Sequence, residues 1–227
     1  MSLDVKICGI MRPEHGRAAV LAGADYIGLI FAPSRRQITL EHARTIVAAA
    51  RAAAIERARP VQIVGVFVNE QPQTINGLAA ELDLDWVQLS GHETLASASA
   101  IERPVVKAIR FDDHASEREW LAQSAQSVRR YPLLVDAHVA GSFGGAGVTS
   151  DWSRAAELAG RWPIWLAGGL GPDNVAQAAL TVRPQLVDVS SGVETDGVKD
   201  IAKIQAFMRA AKQAGAALSA DSHAARV

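Results

Sequence analysis

The one cysteine of this chain stands in the stretch DVKICGIMRPEHG, residues 4 to 16, two positions after Lys6 and just before Gly9. Val5, Ile7 and the apolar run into Gly9 read as a short buried strand, and Pro13 with Glu14 as the first turn of a helix. Cys8 therefore falls where a strand hands over to a loop. A lone thiol builds no intramolecular disulfide framework and no CxxC site. It is either a small buried hydrophobe, the ordinary condition of a free cysteine, or a reactive group. Asp136 poses the same question, because a carboxylate that ends the apolar run Leu133-Leu134-Val135 is costly to bury unless it is paired or used. A helix cap is the plain alternative for it, but the next expected helix starts well downstream.

Two further stretches have the composition of an anion site. WLAGGLGPDNV, residues 165 to 175, runs from a strand through Gly168, Gly169 and Gly171 into a helix start, where glycines allow close backbone approach and free N–H groups face an anion. VDVSSGVETDGVKD, residues 187 to 200, ends the last strand in Ser190, Ser191 and Gly192. Together they predict a phosphate-bearing ligand, with Asp173 read as a helix cap and Glu194 as a solvent-facing residue. Lys6 and Cys8 share one strand face, as do Asp188 and Ser190, so an ion pair of Lys6 with Asp188 is expected if the first and last strands are neighbours. Lys107 is expected to point inward as well. The glycine-rich stretch before Trp152 lacks the GK[ST] of a nucleotide loop and reads as a loop that closes over a small ligand. The six histidines form no HxxxH pair, so no metal is expected, and His138 reads as an ordinary loop residue.

Elements that could position these groups alternate along the chain. Strands are predicted at 5–10, 26–31, 62–68, 86–90, 104–110, 131–137, 163–168 and 186–191, and helices at 14–22, 40–57, 72–82, 93–101, 114–128, 151–159, 172–181 and 198–213. Thr39 is the expected start signal of the second helix. Eight strand-helix units within one stretch of even composition predict a single (β/α)8 TIM barrel over residues 1–213, followed by a frayed Ala/Ser-rich tail, 214–227. An open doubly wound sheet is the rival, but no strand is followed by GxGxxG. In a barrel, Cys8, Arg36, Asp136, the glycine pair and the serine pair all fall at the ends of strands that carry function.

Composition bounds the partners. With 227 residues, 49% hydrophobic and 21% charged, and a formal net charge of -1, the chain reads as a globular domain that binds no nucleic acid, since no basic stripe with interleaved aromatics is present. No apolar run of about 18 residues exists, and no leader with a cleavage site opens the chain, so a cytoplasmic location without membrane contact is expected.

The ordered set VKICGI, GADYIGLIF, SRR, VGVFVN, VQLSG, LAGGLGPDNV and VDVSSGVE followed by GVKD, spanning residues 5 to about 207, resembles the motifs of the phosphoribosylanthranilate isomerase family of tryptophan biosynthesis. The resemblance implies a (β/α)8 barrel that converts N-(5-phosphoribosyl)anthranilate to 1-(2-carboxyphenylamino)-1-deoxyribulose 5-phosphate by an acid-base Amadori rearrangement, with no cofactor or metal. It implies Cys8 as general base, Asp136 as general acid, Arg36 on the anthranilate carboxylate, and the backbone of Gly168, Gly169, Ser191 and Gly192 beside Ser190 on the phosphate. Gln88 would line the pocket, and Arg35 would be a surface arginine. Ser90 replaces a usual histidine, Gln37 a usual aromatic, and the 144–152 loop departs at Ala146, Val148 and Ser150. A non-catalytic phosphoribosyl-ligand barrel, or another phosphosugar barrel such as an indole-glycerol-phosphate synthase, is the alternative. A small-molecule phosphosugar is the expected partner, to a monomer or homodimer; the Ala-rich second helix could serve a dimer or simply the outer layer.

Overall fold

The structure, a computed structural model, describes residues 3–122, 131–136 and 152–224. Its sheet is built from eight runs rich in Val, Ile and Leu: β1 (Asp4–Cys8), β2 (Tyr26–Ile30), β3 (Gln62–Phe67), β4 (Trp86–Leu89), β5 (Val105–Ile109), β6 (Leu133–Val135), β7 (Ile164–Leu166) and β8 (Leu186–Val189). Each pairs in parallel with the next, and β8 closes on β1 with Lys6 opposite Asp188. Parallel staves need crossovers, and these are α1 (Pro13–Leu21), α2 (Leu40–Glu56), α3 (Pro72–Glu81), α4 (Leu95–Ser99), α5 (Ala115–Leu121), α6 (Trp152–Ala159) and α7 (Val175–Val182), with α8 (Ile201–Ala224) covering the closure. The predicted (β/α)8 barrel is the observed one.

Strand alternation sorts the side chains into two cores. Val5, Ile7, Val187 and Val189 belong to the large core between strands and helices. Val106, Ala108, Leu134, Trp165, Ala167 and Leu186 form a smaller cluster inside the barrel. Trp165 lies with its ring centroid 5.3 Å from those of both Tyr26 and Trp86, so three aromatic rings fill the interior below the strand ends. This is a floor, and the site lies above it.

Several local signals act as read. Pro13 occupies the first turn of α1, and the Thr39 hydroxyl accepts the His42 N–H at the start of α2. Others differ. The N-cap of α7 is Asn174, not Asp173, and the Asn174 side chain reaches back to accept the Gly171 N–H at 2.8 Å and donate to the Gly169 carbonyl at 2.9 Å. The chain does not fray from Ala214: α8 runs on to Ala224, with Ala214 buried and Gly215 so close to Leu3 that a Cβ would sit 2.9 Å from the Leu3 Cβ. A hairpin of β9 (Glu194–Thr195) and β10 (Val198–Lys199) follows β8 through Asp196 and Gly197, both at positive φ. Asp-Gly is a strong hairpin-turn signal, and it was available in the sequence.

Candidate active site

At the C-terminal ends of the strands opens a pocket whose lining includes Cys8, Arg36, Gln88, Asp136 and Asp188. Gly168, Gly169, Ser190 and Ser191 line it too. The structure thus brings together every expected site residue except Gly192. Gly192 instead packs against the neighbouring loop, where a Cβ would collide with the Leu170 carbonyl, so its lack of a side chain lets the loops after β7 and β8 touch.

Cys8 ends β1 with its side chain inside the barrel, and its space comes from β2. A Cβ at Gly28 would lie 2.7 Å from Cys8 Sγ and 3.1 Å from Lys6 Cε. A glycine within a strand marks such a close approach, and Gly28 in YIGLIF is a site residue the sequence reading passed over. Below Cys8, Lys6 Nζ donates to Asp188 Oδ2 at 2.9 Å and to Gln88 Oε1 at 3.0 Å, and Gln88 Nε2 donates to Ser90 Oγ at 3.0 Å. The expected Lys6–Asp188 pair is present, and Ser90 ends a polar chain that crosses from β8 to β4. Burial disfavours the Lys6 ammonium, but Asp188 and the Cys8 sulfur outweigh it and raise its pKa. For Cys8 burial dominates: the thiol is pushed up, Asp188 adds to the rise, and Lys6 opposes it.

Asp136 follows the last residue of β6 and continues the ladder, its N–H donating to the Ile109 carbonyl at 3.0 Å. It is half-buried and faces the pocket from a stave separated from β1 by β7 and β8. Cys8 and Asp136 therefore approach a ligand from different sides. Residues 137–151, which hold His138, Ala146, Val148 and Ser150, lie outside the described residues, and with them the expected closing loop.

Arg36 is buried, and a residue expected to face solvent holds it. Glu194 Oε1 accepts from Arg36 Nε at 2.7 Å and Oε2 from Nη2 at 2.9 Å, a bidentate fork. Lys199 Nζ and Arg35 Nη2 add donations to the same carboxylate at 2.8 and 2.7 Å. Glu194 is buried, not solvated, and although burial would raise its pKa, Arg36 and Lys199 pull it down to about 2. Arg35, though half exposed, is tied into the cluster. Arg36 Nη1 keeps no partner among the described residues. Gly9, at φ +73°, clears the way, since a Cβ there would lie 2.5 Å from Arg36 Cδ.

The loops after β7 and β8 supply donors. Gly168 and Gly169 sit at positive φ, which glycine adopts freely. The N–H groups of Gly168, Gly169, Ser191 and Gly192 make no hydrogen bond to any described residue. Unengaged backbone N–H groups on glycine-rich loops are the donors of which anion nests are made. Lys199 Nζ stands nearby on the Ser190 carbonyl at 2.9 Å. Lys107 is not part of this arrangement. It alternates with Val106 and Ala108, shares the outward face of Val105 and Ile109, and ends on Glu93 at 3.0 Å and the Gly91 carbonyl at 2.6 Å, which corrects the expectation that it points inward.

The family profile of N-(5'phosphoribosyl)anthranilate (PRA) isomerase matches residues 5–210 of this chain. An N-(5'-phosphoribosyl)anthranilate isomerase of Roseiflexus sp. (strain RS-1) is 55% identical over 213 residues, covering 93% of this chain and 99% of the relative. A solved structure of monomers of the dimeric phosphoribosylanthranilate isomerase from Thermotoga maritima superposes with a TM-score of 0.74 at 38% identity, over 93% of this chain and 99% of that one. Another phosphoribosyl anthranilate isomerase, solved in complex with reduced 1-(o-carboxyphenylamino)-1-deoxyribulose 5-phosphate, gives 0.73 at 37% identity with the same coverage.

Proposed function

Because the chain belongs to the phosphoribosylanthranilate isomerase family, we propose that its pocket isomerises N-(5-phosphoribosyl)anthranilate to 1-(2-carboxyphenylamino)-1-deoxyribulose 5-phosphate in tryptophan biosynthesis. The observation that carries the reading is the pocket itself: a thiol and a carboxylate on separated staves, a clamped arginine, and lining residues Gly168, Gly169 and Ser191 whose N–H groups no described residue engages.

The chemistry assigns a role to each. Asp136 delivers a proton to the ring oxygen of the furanose, which opens to an iminium. The iminium acidifies the hydrogen on C2′, and Cys8, as thiolate, removes it to give the enaminol, which tautomerises to the ketone. The anthranilate carboxylate meets Arg36, whose Nη1 is the remaining prong of the fork. The phosphate sits on the N–H groups of Gly168, Gly169, Ser191 and Gly192, with the Ser190 hydroxyl close by. Gln88 forms part of the pocket wall and steadies Lys6. We also read the enzyme as cytoplasmic, where its free thiol stays reduced, and as a monomer or homodimer, which light scattering resolves.

The test is turnover of N-(5-phosphoribosyl)anthranilate, generated in place and followed by its fluorescence. The wild-type protein is expected to consume it, and Cys8→Ser and Asp136→Asn are each expected to lower kcat by about 10²- to 10⁴-fold with circular dichroism unchanged. Wild-type turnover in both variants would remove the acid and base assignments. A folded protein that binds the product but turns nothing over would favour a ligand-binding barrel.

A further inference from the structure

Asp188 is only 6% exposed, yet it lines the pocket. Its Oδ2 takes Lys6 Nζ at 2.9 Å, whereas its Oδ1 is buried without a hydrogen-bond partner among the described residues. The neighbouring donors are engaged elsewhere. Lys6 Nζ also donates to Gln88 Oε1 at 3.0 Å, the Ser190 hydroxyl donates to the Cys8 carbonyl at 3.2 Å, and Lys199 is held by Ser190 and Glu194. A buried carboxylate oxygen left without a donor is unfavourable and calls for an explanation. Here the oxygen belongs to a residue on the wall of an open pocket, so the missing donor is one that a ligand brings.

Register says which part of the ligand that is. Lys6 and Asp188 are directly paired across the β1–β8 seam, and Cys8 stands two residues above Lys6 on the same face. Asp188 and Cys8 are close enough for the carboxylate to act on the thiol. In the proposed reaction Cys8 removes the hydrogen on C2′, and that carbon also bears a hydroxyl. The two substituents leave one tetrahedral centre, so the base for one and the acceptor for the other must be neighbours. We propose that Asp188 Oδ1 accepts a hydrogen bond from the C2′ hydroxyl of the sugar and thereby turns the C2′ hydrogen toward Cys8. The pocket then recognises an open-chain phosphosugar with a hydroxyl at that carbon. This inference rests on the isomerase reading given above.

The experiment compares two probes by calorimetry: reduced 1-(o-carboxyphenylamino)-1-deoxyribulose 5-phosphate, and the same compound without the hydroxyl on carbon 2. Loss of the hydroxyl is expected to weaken binding to the wild-type protein by about 10- to 100-fold, the effect of a hydrogen bond to a charged group, and to Asp188→Ala by less than about threefold. Equal affinity of the wild-type protein for both probes would overturn the proposal, and so would an undiminished preference in Asp188→Ala. Should that variant fail to fold because Lys6 is left without its counter-charge, the wild-type comparison and the doubly neutral variant Lys6→Met with Asp188→Leu decide in its place. A wild-type protein inactive on N-(5-phosphoribosyl)anthranilate would overturn the isomerase reading, whereas an active one indifferent to the hydroxyl would overturn this inference alone.

Discussion

At Cys8 the barrel interior and the proposed chemistry pull in opposite directions. The base must be a thiolate, while burial and Asp188 raise the thiol pKa against the opposing pull of Lys6 and, more weakly, Lys199. A base with a raised pKa is increasingly competent as pH rises, so kcat/KM is expected to be still climbing above pH of about 8.5, the ordinary thiol value. Removing the larger favourable charge, Lys6→Met, is expected to move that limb further up, as read by thiolate absorbance and alkylation rate. A plateau reached already at neutral pH would show that the group titrating in the rate is not a thiol of this kind. Gly28 belongs to the same scale: its missing side chain is the space that Cys8 Sγ and the Lys6 stem occupy.

Among the elements, the hairpin after β8 has the clearest task. Its first residue, Glu194, holds Arg36 by Nε and Nη2, so the hairpin decides where the arginine proposed to meet the anthranilate carboxylate stands. Glu194→Gln is expected to raise KM by about tenfold with a smaller change in kcat, because the guanidinium loses its charged partner and its fixed pose. The same residue couples the site to acid stability. Its carboxyl is held at about 2 against an ordinary 4.5, so the stabilisation it gives is present above pH 4.5 and fades as pH falls toward 2. That contribution is on the order of 3 kcal/mol. Acid unfolding of the wild-type protein should show this slope, and Glu194→Gln should lack it; identical acid transitions would mean that the clamp adds nothing to stability.

For the whole molecule, closure is the decisive event. β8 pairs with β1, and α8 lies across that seam with Ile204, Phe207, Met208, Ala211 and Ala214 buried. The end of α8 belongs to this seal, since Gly215 packs on Leu3 and Leu218 packs on the core. Truncation after Gln213 is expected to lower stability by about 2 kcal/mol and Tm by roughly 4–8 °C, measured by calorimetry. An unchanged Tm would show that the helix beyond Gln213 contributes nothing to closure.

The sequence by itself determined the eight staves, their order and most of the pocket. Strand and helix positions follow from local hydrophobic periods, and Cys8, Asp136, Gly168 and Ser190 were legible because each is an unusual residue at a strand end. Local patterning carries no information about contacts that exist only after closure. Lys107 was read as inward because a lysine in an apolar strand looks like a site residue, whereas strand alternation together with Glu93, fourteen positions away, turns it to the outer face. Glu194 looked solvated because its partner Arg36 lies 158 residues earlier. The Asp188 oxygen that no described residue engages is likewise visible only across a seam between residues 182 apart. The chain specifies where strands run because that depends on neighbours in sequence, but which charges meet, and which is left for a ligand, depends on the register in which the ends of the sheet join.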